Sequence, residues 1–197
     1  MALRPWIAPL VAVLLVVSVA ACTSPTDEPT RTAPTPTSGP GSSGVVESSV
    51  PFGTPTPSAE ARAFLWPAHI DALAGVPFEV AVWVNPGAHG VSSGELTVSY
   101  PAGACQVESV APGALLGAEP LVGFQEIDND AGTTRFAAAR IGPTETPSSP
   151  GPLASLRMTC AEALDDRLGL EAAIADAGFE AAPLAGVEGA GLTVAAR

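Results

Sequence analysis

From about residue 61 to its C-terminus, the chain is a succession of short segments in which apolar and polar residues alternate, separated by prolines and glycines. Residues 78–84 and 95–100 alternate most clearly, as half-buried strands do, and Asn85-Pro86-Gly87 ends the first of them with typical turn residues. No stretch keeps a helical period beyond two turns. In chain order, the predicted strands are residues 65–70, 78–84, 95–100, 106–110, 122–127, 133–141, 153–160, 170–174 and 192–195. Nine short strands punctuated in this way predict an all-β jelly-roll sandwich.

The N-terminus has the pattern of a cleaved targeting segment. Arg4 is followed by an almost wholly apolar run over residues 7–21, which is short for a membrane span. The small residues Val19-Ala20-Ala21 stand directly before Cys22, and this arrangement resembles the lipobox of bacterial lipoproteins. The resemblance implies that residues 1–21 are a signal peptide and that Cys22 is lipidated, which would hold the protein on the outside of a bacterial membrane. The alternative is an ordinary secretory signal with an incidental cysteine.

Residues 22–60 have the composition of a disordered linker. Of the 36 residues from 23 to 58, 27 are Pro, Thr, Ser or Gly, so the segment cannot bury enough apolar surface to offset the entropy of ordering. The prolines favour an extended polyproline II conformation. We therefore predict a stalk over residues 22–60 that separates the membrane anchor from a single folded domain, residues 61–197.

The charge of the chain excludes one class of partner. It carries 20 acidic residues against 8 basic ones, a net charge of −12, and every basic residue is an arginine. Binding to nucleic acid needs clustered cations that contact phosphates, and the sequence has no such cluster. The acidic residues are scattered, which is typical of a solvated surface rather than of a metal site, so we predict neither a metal nor another cofactor.

Two cysteines remain once Cys22 is assigned to lipidation. Cys105 and Cys160 form an even pair in an exported domain, which favours a disulfide. Their spacing does not fit a four-ligand zinc site, for which only His69 and His89 could supply further nitrogen ligands.

Two short motifs suggest chemistry that their context does not support. Residues 90–94 match the pattern G-x-S-x-G, but strand residues follow at once where a nucleophile elbow needs a helix, so we predict a turn in which Ser92→Ala has no effect. Residues 128–132 resemble the start of a calcium loop, but Gly132 and Ala139 stand where oxygen ligands are required, which leaves a hairpin turn. The sequence therefore predicts a binding protein rather than an enzyme.

Trp66 and Trp83 are candidates for stacking on a sugar ring. Val80, Val82 and Val84 alternate along the second predicted strand and should face the core, which leaves Trp83 on the outer surface. There it could bind carbohydrate, as in carbohydrate-binding modules built on similar sandwiches, or be covered by a loop or by the N-terminal strand.

Four segments, in the right order, resemble cohesins. Residues 93–101 are similar to the third cohesin strand, and residues 107–116 to the segment with the pattern V-x-S-V-x-x-G-x-L-L. Phe124, residues 127–128, Gly132 and Phe136 match the fifth and sixth strands, and residues 151–158 resemble the seventh. The resemblance implies a nine-stranded jelly roll in which the fourth and seventh strands are neighbours, and this would bring Cys105 close to Cys160.

Cohesins bind dockerins, which are small calcium-loaded helical pairs, on the flat sheet of their eighth, third, sixth and fifth strands. The resemblance therefore implies an extracellular dockerin-like partner and a role in polysaccharide degradation. The outward residues assigned to this face are Thr97, Ser99, Gln125, Arg135, Ala137, Ala139 and Ala173. Direct binding of polysaccharide, or a structural envelope lipoprotein without a dedicated ligand, are the alternatives.

Overall fold

The computed structural model describes residues 55–142 and 145–197, so the predicted signal peptide, Cys22 and most of the predicted linker lie outside the described residues. The described elements are β1 (Arg62–Trp66), β2 (His69–Leu73), β3 (Phe78–Asn85), β4 (Ser93–Ser99), β5 (Cys105–Pro112), a 3₁₀ turn (Ala114–Leu116), β6 (Leu121–Asp128), β7 (Thr133–Ala139), β8 (Gly151–Cys160), β9 (Leu164–Ala175), β10 (Ala181–Ala182), β11 (Gly186–Glu188) and β12 (Ala190–Ala195). Within this part of the chain, no helix is long and apolar enough to cross a membrane.

The strands form two sheets packed face to face. The first sheet has the order β11-β1-β3-β8-β5, and the second has the order β2-β12-β9-β4-β7-β6, with β10 attached to β9. The β1–β11 and β2–β12 pairs are parallel, and the other pairs are antiparallel. The predicted all-β jelly roll is confirmed, and each of the nine predicted strands has its counterpart.

The first predicted strand is divided between the two sheets. The sequence predicts one strand over residues 65–70, whereas β1 pairs with β3 in the first sheet and β2 pairs with β12 in the second. Pro67 lies between them, and since proline has no N–H to donate, it interrupts a hydrogen-bonded ladder. The carbonyl of Ala68 then accepts a hydrogen bond from the Gly191 N–H at 2.9 Å, which starts the new pairing.

Alternation along each strand directs the apolar side chains into the space between the sheets. Val80, Val82 and Val84 of β3 are at most 1% exposed, and Phe136 of β7 is fully buried opposite Leu96 of β4. Truncating a buried phenylalanine costs roughly 3–5 kcal/mol, so this layer is central to stability. The other large, fully buried side chains are Leu65, Leu153, Leu156, Met158, Leu168 and Leu192.

A disulfide and the hydrogen bonds of a partly buried asparagine fix the end of the sandwich where β5 begins. Cys105 lies directly opposite Cys160 in the β5–β8 ladder, and the two are bonded. Asn129, which follows β6, accepts a hydrogen bond from the Val107 N–H at 2.8 Å and donates one to the Val107 carbonyl at 3.2 Å. The Tyr100 hydroxyl donates to the same Asn129 oxygen at 2.8 Å. The β6–β7 hairpin of the second sheet is thereby tied to β5 of the first.

Candidate functional site

The candidate site is the outward surface of β9, β4, β7 and β6, called the outer face below. These strands correspond in order to the predicted eighth, third, sixth and fifth strands. Residues paired directly across neighbouring strands share a side of the sheet, so the register arranges the outer face in four rows. From β9 to β6, the rows are Ala175-Ser93-Ala139-Leu121, Ala173-Glu95-Ala137-Phe124, Glu171-Thr97-Arg135-Glu126 and Gly169-Ser99-Thr133-Asp128.

Most of the residues assigned to this face lie on it. Their inward neighbours on β4 and β7 are buried, so alternation directs the assigned positions outward. On β9, Ile174 is buried, so alternation directs the preceding residue, Ala173, outward. The six assigned residues that lie on the outer face are Thr97, Ser99, Arg135, Ala137, Ala139 and Ala173.

The placement of Gln125 on the outer face is wrong. Gln125 pairs with the buried Phe136, so its side chain is on the inner side of the sheet, and its neighbours Phe124 and Glu126 point outward. The register shifts between Val122 and Phe124, which is a β-bulge, and β6 is the edge strand. A bulge inserts one extra residue and changes the side on which subsequent residues lie. The outward residue of β6 at this position is therefore Phe124 and not Gln125.

The upper two rows contribute to a mainly apolar depression, which Glu95 also lines. Its floor consists of small side chains, among them Ala137, Ala139 and Ala173, and its volume is about 420 Å³. Two large apolar side chains also line it, Leu121 of β6 and Phe179 of the β9–β10 loop. They are 59% and 61% exposed. Exposed large apolar groups around a floor of small residues are typical of a surface that another molecule covers.

The lower two rows are polar and centred on Arg135. Its guanidinium contacts the carboxylate of Glu95 at 3.4 Å and that of Glu126 at 3.9 Å, and it lies 4.8 Å above the ring of Phe124. Exposed ion pairs of this kind stabilise a protein by at most about 1 kcal/mol. Their main effect is to hold Arg135 flat over the strands rather than extended into solvent.

Phe179 is held outward by a hydrogen-bonded loop. Its φ of 63° lies in the left-handed region, which bulky residues rarely adopt. The Asp176 carboxylate accepts hydrogen bonds from the N–H groups of Gly178 at 2.8 Å and Glu180 at 3.1 Å. The Phe179 N–H donates to the Asp176 carbonyl at 3.0 Å. Backbone hydrogen bonds thus fix the main chain at Phe179, and its side chain stays largely exposed.

Trp66 and Trp83 lie on the outer surface of the other sheet. Trp83 is opposite Phe64 in the β1–β3 ladder, and Trp66 is opposite Ala81. Phe64 and Trp66 meet edge to face, with ring centroids 6.5 Å apart and an interplanar angle of 79°. Both line a depression of about 610 Å³ together with Arg62, Asn85, Glu188 and residues 55, 56 and 58. Trp83 is half-buried.

The two motifs set aside in the sequence have structural roles. Ser92 is fully buried, and its hydroxyl donates hydrogen bonds to the carbonyls of Ala175, at 3.2 Å, and Asp176. These contacts lead us to expect that Ser92→Ala lowers stability, contrary to the expectation from the sequence. In the β6–β7 turn, the Asp128 carboxylate accepts a bond from the Ala131 N–H at 2.9 Å, and Gly132 has a φ of +66°. No cluster of possible metal ligands occurs among the described residues.

Several residues of the outer face were missed by sequence reasoning. Glu95 has the same parity as Thr97 and Ser99, so the alternation of β4 was sufficient to find it. Glu171 follows in the same way from the assigned Ala173. Phe179 had no such signal, because it belongs to a loop and its exposure depends on a local hydrogen-bond pattern.

The same architecture occurs in solved structures of cohesins. The chain is similar to a non-cellulosomal cohesin from Archaeoglobus fulgidus, with a TM-score of 0.56 and 18% identity, over 70% of this chain and 92% of that chain. It is also similar to a chain in the OlpA cohesin–Doc918 complex from Clostridium thermocellum, a cohesin–dockerin complex, with a TM-score of 0.58 and 12% identity over 69% and 99% of the chains. For the CaCohA2 structure from Clostridium acetobutylicum the TM-score is 0.55 and the identity 19%, over 68% and 90%. No protein-family model and no curated protein matches the sequence. At these identities, the similarity establishes a cohesin-like fold.

Proposed function

We propose that residues 61–197 form a docking module that binds an extracellular protein through the outer face, and that this partner is a dockerin-like helical module. The observation that carries the proposal is the outer face itself, four adjacent strands with small side chains at their centre and exposed Leu121 and Phe179 around them. Cohesin-like chains of the same fold have been solved with dockerins bound. A catalytic site would instead need a deeper concavity with convergent polar groups.

The chemistry of the face suits a helical partner better than a small ligand. Ala137 and Ala173, on the two sides of Glu95, have only a methyl group each, so a helix backbone can approach the sheet closely there. Burying Leu121 and Phe179 would supply the apolar core that stable interfaces have, and the carboxylates around them would form a polar rim.

The test is a pull-down from the extracellular fraction of the producing organism. The bait is the full chain with Cys22→Ala, a substitution that removes the predicted lipidation site. A matched bait also carries Ala137→Glu, which alters the centre of the face. A partner must bind the first bait and not the second, and its purified form must bind with the same discrimination in calorimetry. Proteins captured equally by both baits, with none that discriminates, would contradict a docking function of this face.

The proposal also includes attachment to a bacterial membrane through lipid on Cys22. It is supported by the small residues before Cys22 and by the linker-like composition that follows. In Triton X-114 partitioning we expect the full chain in the detergent phase and the Cys22→Ala variant in the aqueous phase. Equal partitioning of the two would exclude a lipid anchor at this position.

Polysaccharide binding is a second candidate function, favoured by the depression beside Phe64 and Trp66. The edge-to-face arrangement of these rings suits one sugar against one ring rather than a flat crystalline surface. Retention by soluble polysaccharide chains in affinity gel electrophoresis that is lost in Trp66→Ala and kept in Ala137→Glu would support this function. Lack of retention of the parent chain would exclude it.

A further inference from the structure

We propose that the partner presents to the outer face a single helix whose apolar side chains lie between Leu121 and Phe179 and whose flanking residues are lysine or arginine. This inference rests on the proposed docking function and specifies the chemistry of the partner. Phe179 is the residue that we assign as an anchor, and Glu171 is the carboxylate that selects a cation.

The spacing of the face fits one helix. Leu121 is on β6, and the loop that carries Phe179 follows β9, so the two lie at opposite sides of a four-stranded surface. Three strand spacings of about 4.8 Å separate β6 from β9 by about 14 Å. A helix with its side chains is about 10–12 Å across. Between Leu121 and Phe179, alanines occupy most of this width, and Glu95 is the one long side chain among them.

The conformation of Phe179 indicates that its ring is retained for contact with another molecule. A left-handed φ disfavours a phenylalanine, and a residue that is 61% exposed gains little from packing within its own domain. Glycine would satisfy the same backbone geometry without strain. The loop nevertheless places an aromatic side chain at the edge of the apolar depression, where aromatic residues contribute strongly to binding.

The net negative charge of the outer face favours a partner with positively charged side chains. In the two lower rows and beside the depression, the carboxylates of Glu95, Glu126, Asp128 and Glu171 face one guanidinium, that of Arg135. Arg135 contacts Glu95 and Glu126. Among the residues that the structure describes, none forms an ion pair with Glu171. A cation on the partner would therefore find an uncompensated carboxylate beside the apolar floor.

The test uses the full chain with Cys22→Ala and a display library of a helix-turn-helix module in which the surface positions of one helix are randomised. Binders whose capture is lost in Ala137→Glu report on the outer face. Relative to the unselected library, we expect these binders to be enriched in Lys and Arg and depleted in Asp and Glu. A library of unstructured extended peptides, selected in parallel, should yield no binder that depends on Ala137.

Affinities of the selected modules for four further variants complete the test. We expect Phe179→Gly to weaken binding by about tenfold or more and to raise the melting temperature, because glycine removes the left-handed strain. Phe179→Ala should weaken binding equally without that gain in stability. Glu171→Lys should weaken binding by about tenfold, and the matched control Glu162→Lys, in the exposed turn after β8, should stay within about twofold of the parent chain.

The outcomes separate this inference from the function on which it rests. Face binders without basic enrichment, full affinity in Phe179→Gly, or face binding only by extended peptides would overturn the inference while leaving a docking face in place. A lower melting temperature in Phe179→Gly would also overturn it, since the ring would then serve the fold. If no selected binder depends on Ala137, both the inference and the docking function fail.

Discussion

Ala137→Glu tests the outer face directly, because its effect on folding stability can be estimated from the structure separately from its effect on partner binding. Residue 137 lies between Glu95 on β4 and Phe124 on β6. A carboxylate directly opposite that of Glu95 should destabilise the domain by about 0.2–1 kcal/mol. For a domain of this size, that corresponds to a decrease in melting temperature of roughly 1–5 °C.

The matched variant is Ala138→Glu, one residue further along the same strand. Ala138 is 5% exposed and faces the core. A carboxylate buried there without a partner costs several kcal/mol, a large fraction of the roughly 5–15 kcal/mol by which domains are stable. The same substitution at neighbouring positions should therefore leave one protein folded and unfold the other.

Circular dichroism melts and calorimetry with the purified partner measure the two effects. We expect Ala137→Glu to melt within a few degrees of the parent chain and to lose binding by about a hundredfold, since it places a charge at the centre of an apolar contact. If Ala137→Glu unfolds as Ala138→Glu does, the register of β7 is wrong. If it folds and binds at full affinity, the outer face is not the docking surface.

Three other predictions follow from the buried parts of the domain. Replacing both Cys105 and Cys160 by alanine should cost about 2–4 kcal/mol in urea unfolding without changing the native circular dichroism spectrum, because the bond closes a 55-residue separation; an unchanged midpoint would refute this. Burial raises the pKa of the Tyr100 phenol, so the stability due to its neutral form is complete below pH about 10 and is lost as the pH rises through the folded-state pKa. Tyr100 is the only tyrosine, so ultraviolet titration should give a midpoint above that of the denatured chain, with Tyr100→Phe as the blank. Ser92→Ala should cost about 1 kcal/mol, because it removes a hydroxyl hydrogen that the part-buried carbonyls of Ala175 and Asp176 share, whereas Ser93→Ala on the outer face should cost less than half as much.

The sequence was sufficient to predict the strands that alternate without interruption. On β4, Leu96 and Val98 are apolar and the residues between them are polar, so the side of each residue followed directly. On β7, Phe136 and the charged Arg135 set the parity in the same way. The cysteines supplied an independent constraint, since they place the start of β5 beside the end of β8.

Prediction failed where the local structure departs from alternation. The bulge in β6 has no sequence signal beyond Gly123, and the edge strand exposes apolar and polar residues alike, so the hydrophobic pattern could not place Gln125. Pro67 signalled a break in the first strand, but the change of sheet depends on the pairing of β2 with the distant β12. Ser92 was misjudged because the carbonyls that its hydroxyl contacts, those of Ala175 and Asp176, lie far along the chain.

Inward and outward residues of the same strands have different roles. This difference explains how the chain can share the cohesin fold with solved structures at only 12–19% sequence identity. The fold depends on inward residues such as Phe136 and Leu96, whose replacement costs several kcal/mol. Outward residues of the same strands, such as Ala137 and Glu171, contribute little to folding, so they are free to differ from one such domain to the next. Specificity for a partner is therefore expected to lie in these outward residues and in loops such as the one that carries Phe179, where a substitution can change binding without affecting the sandwich beneath.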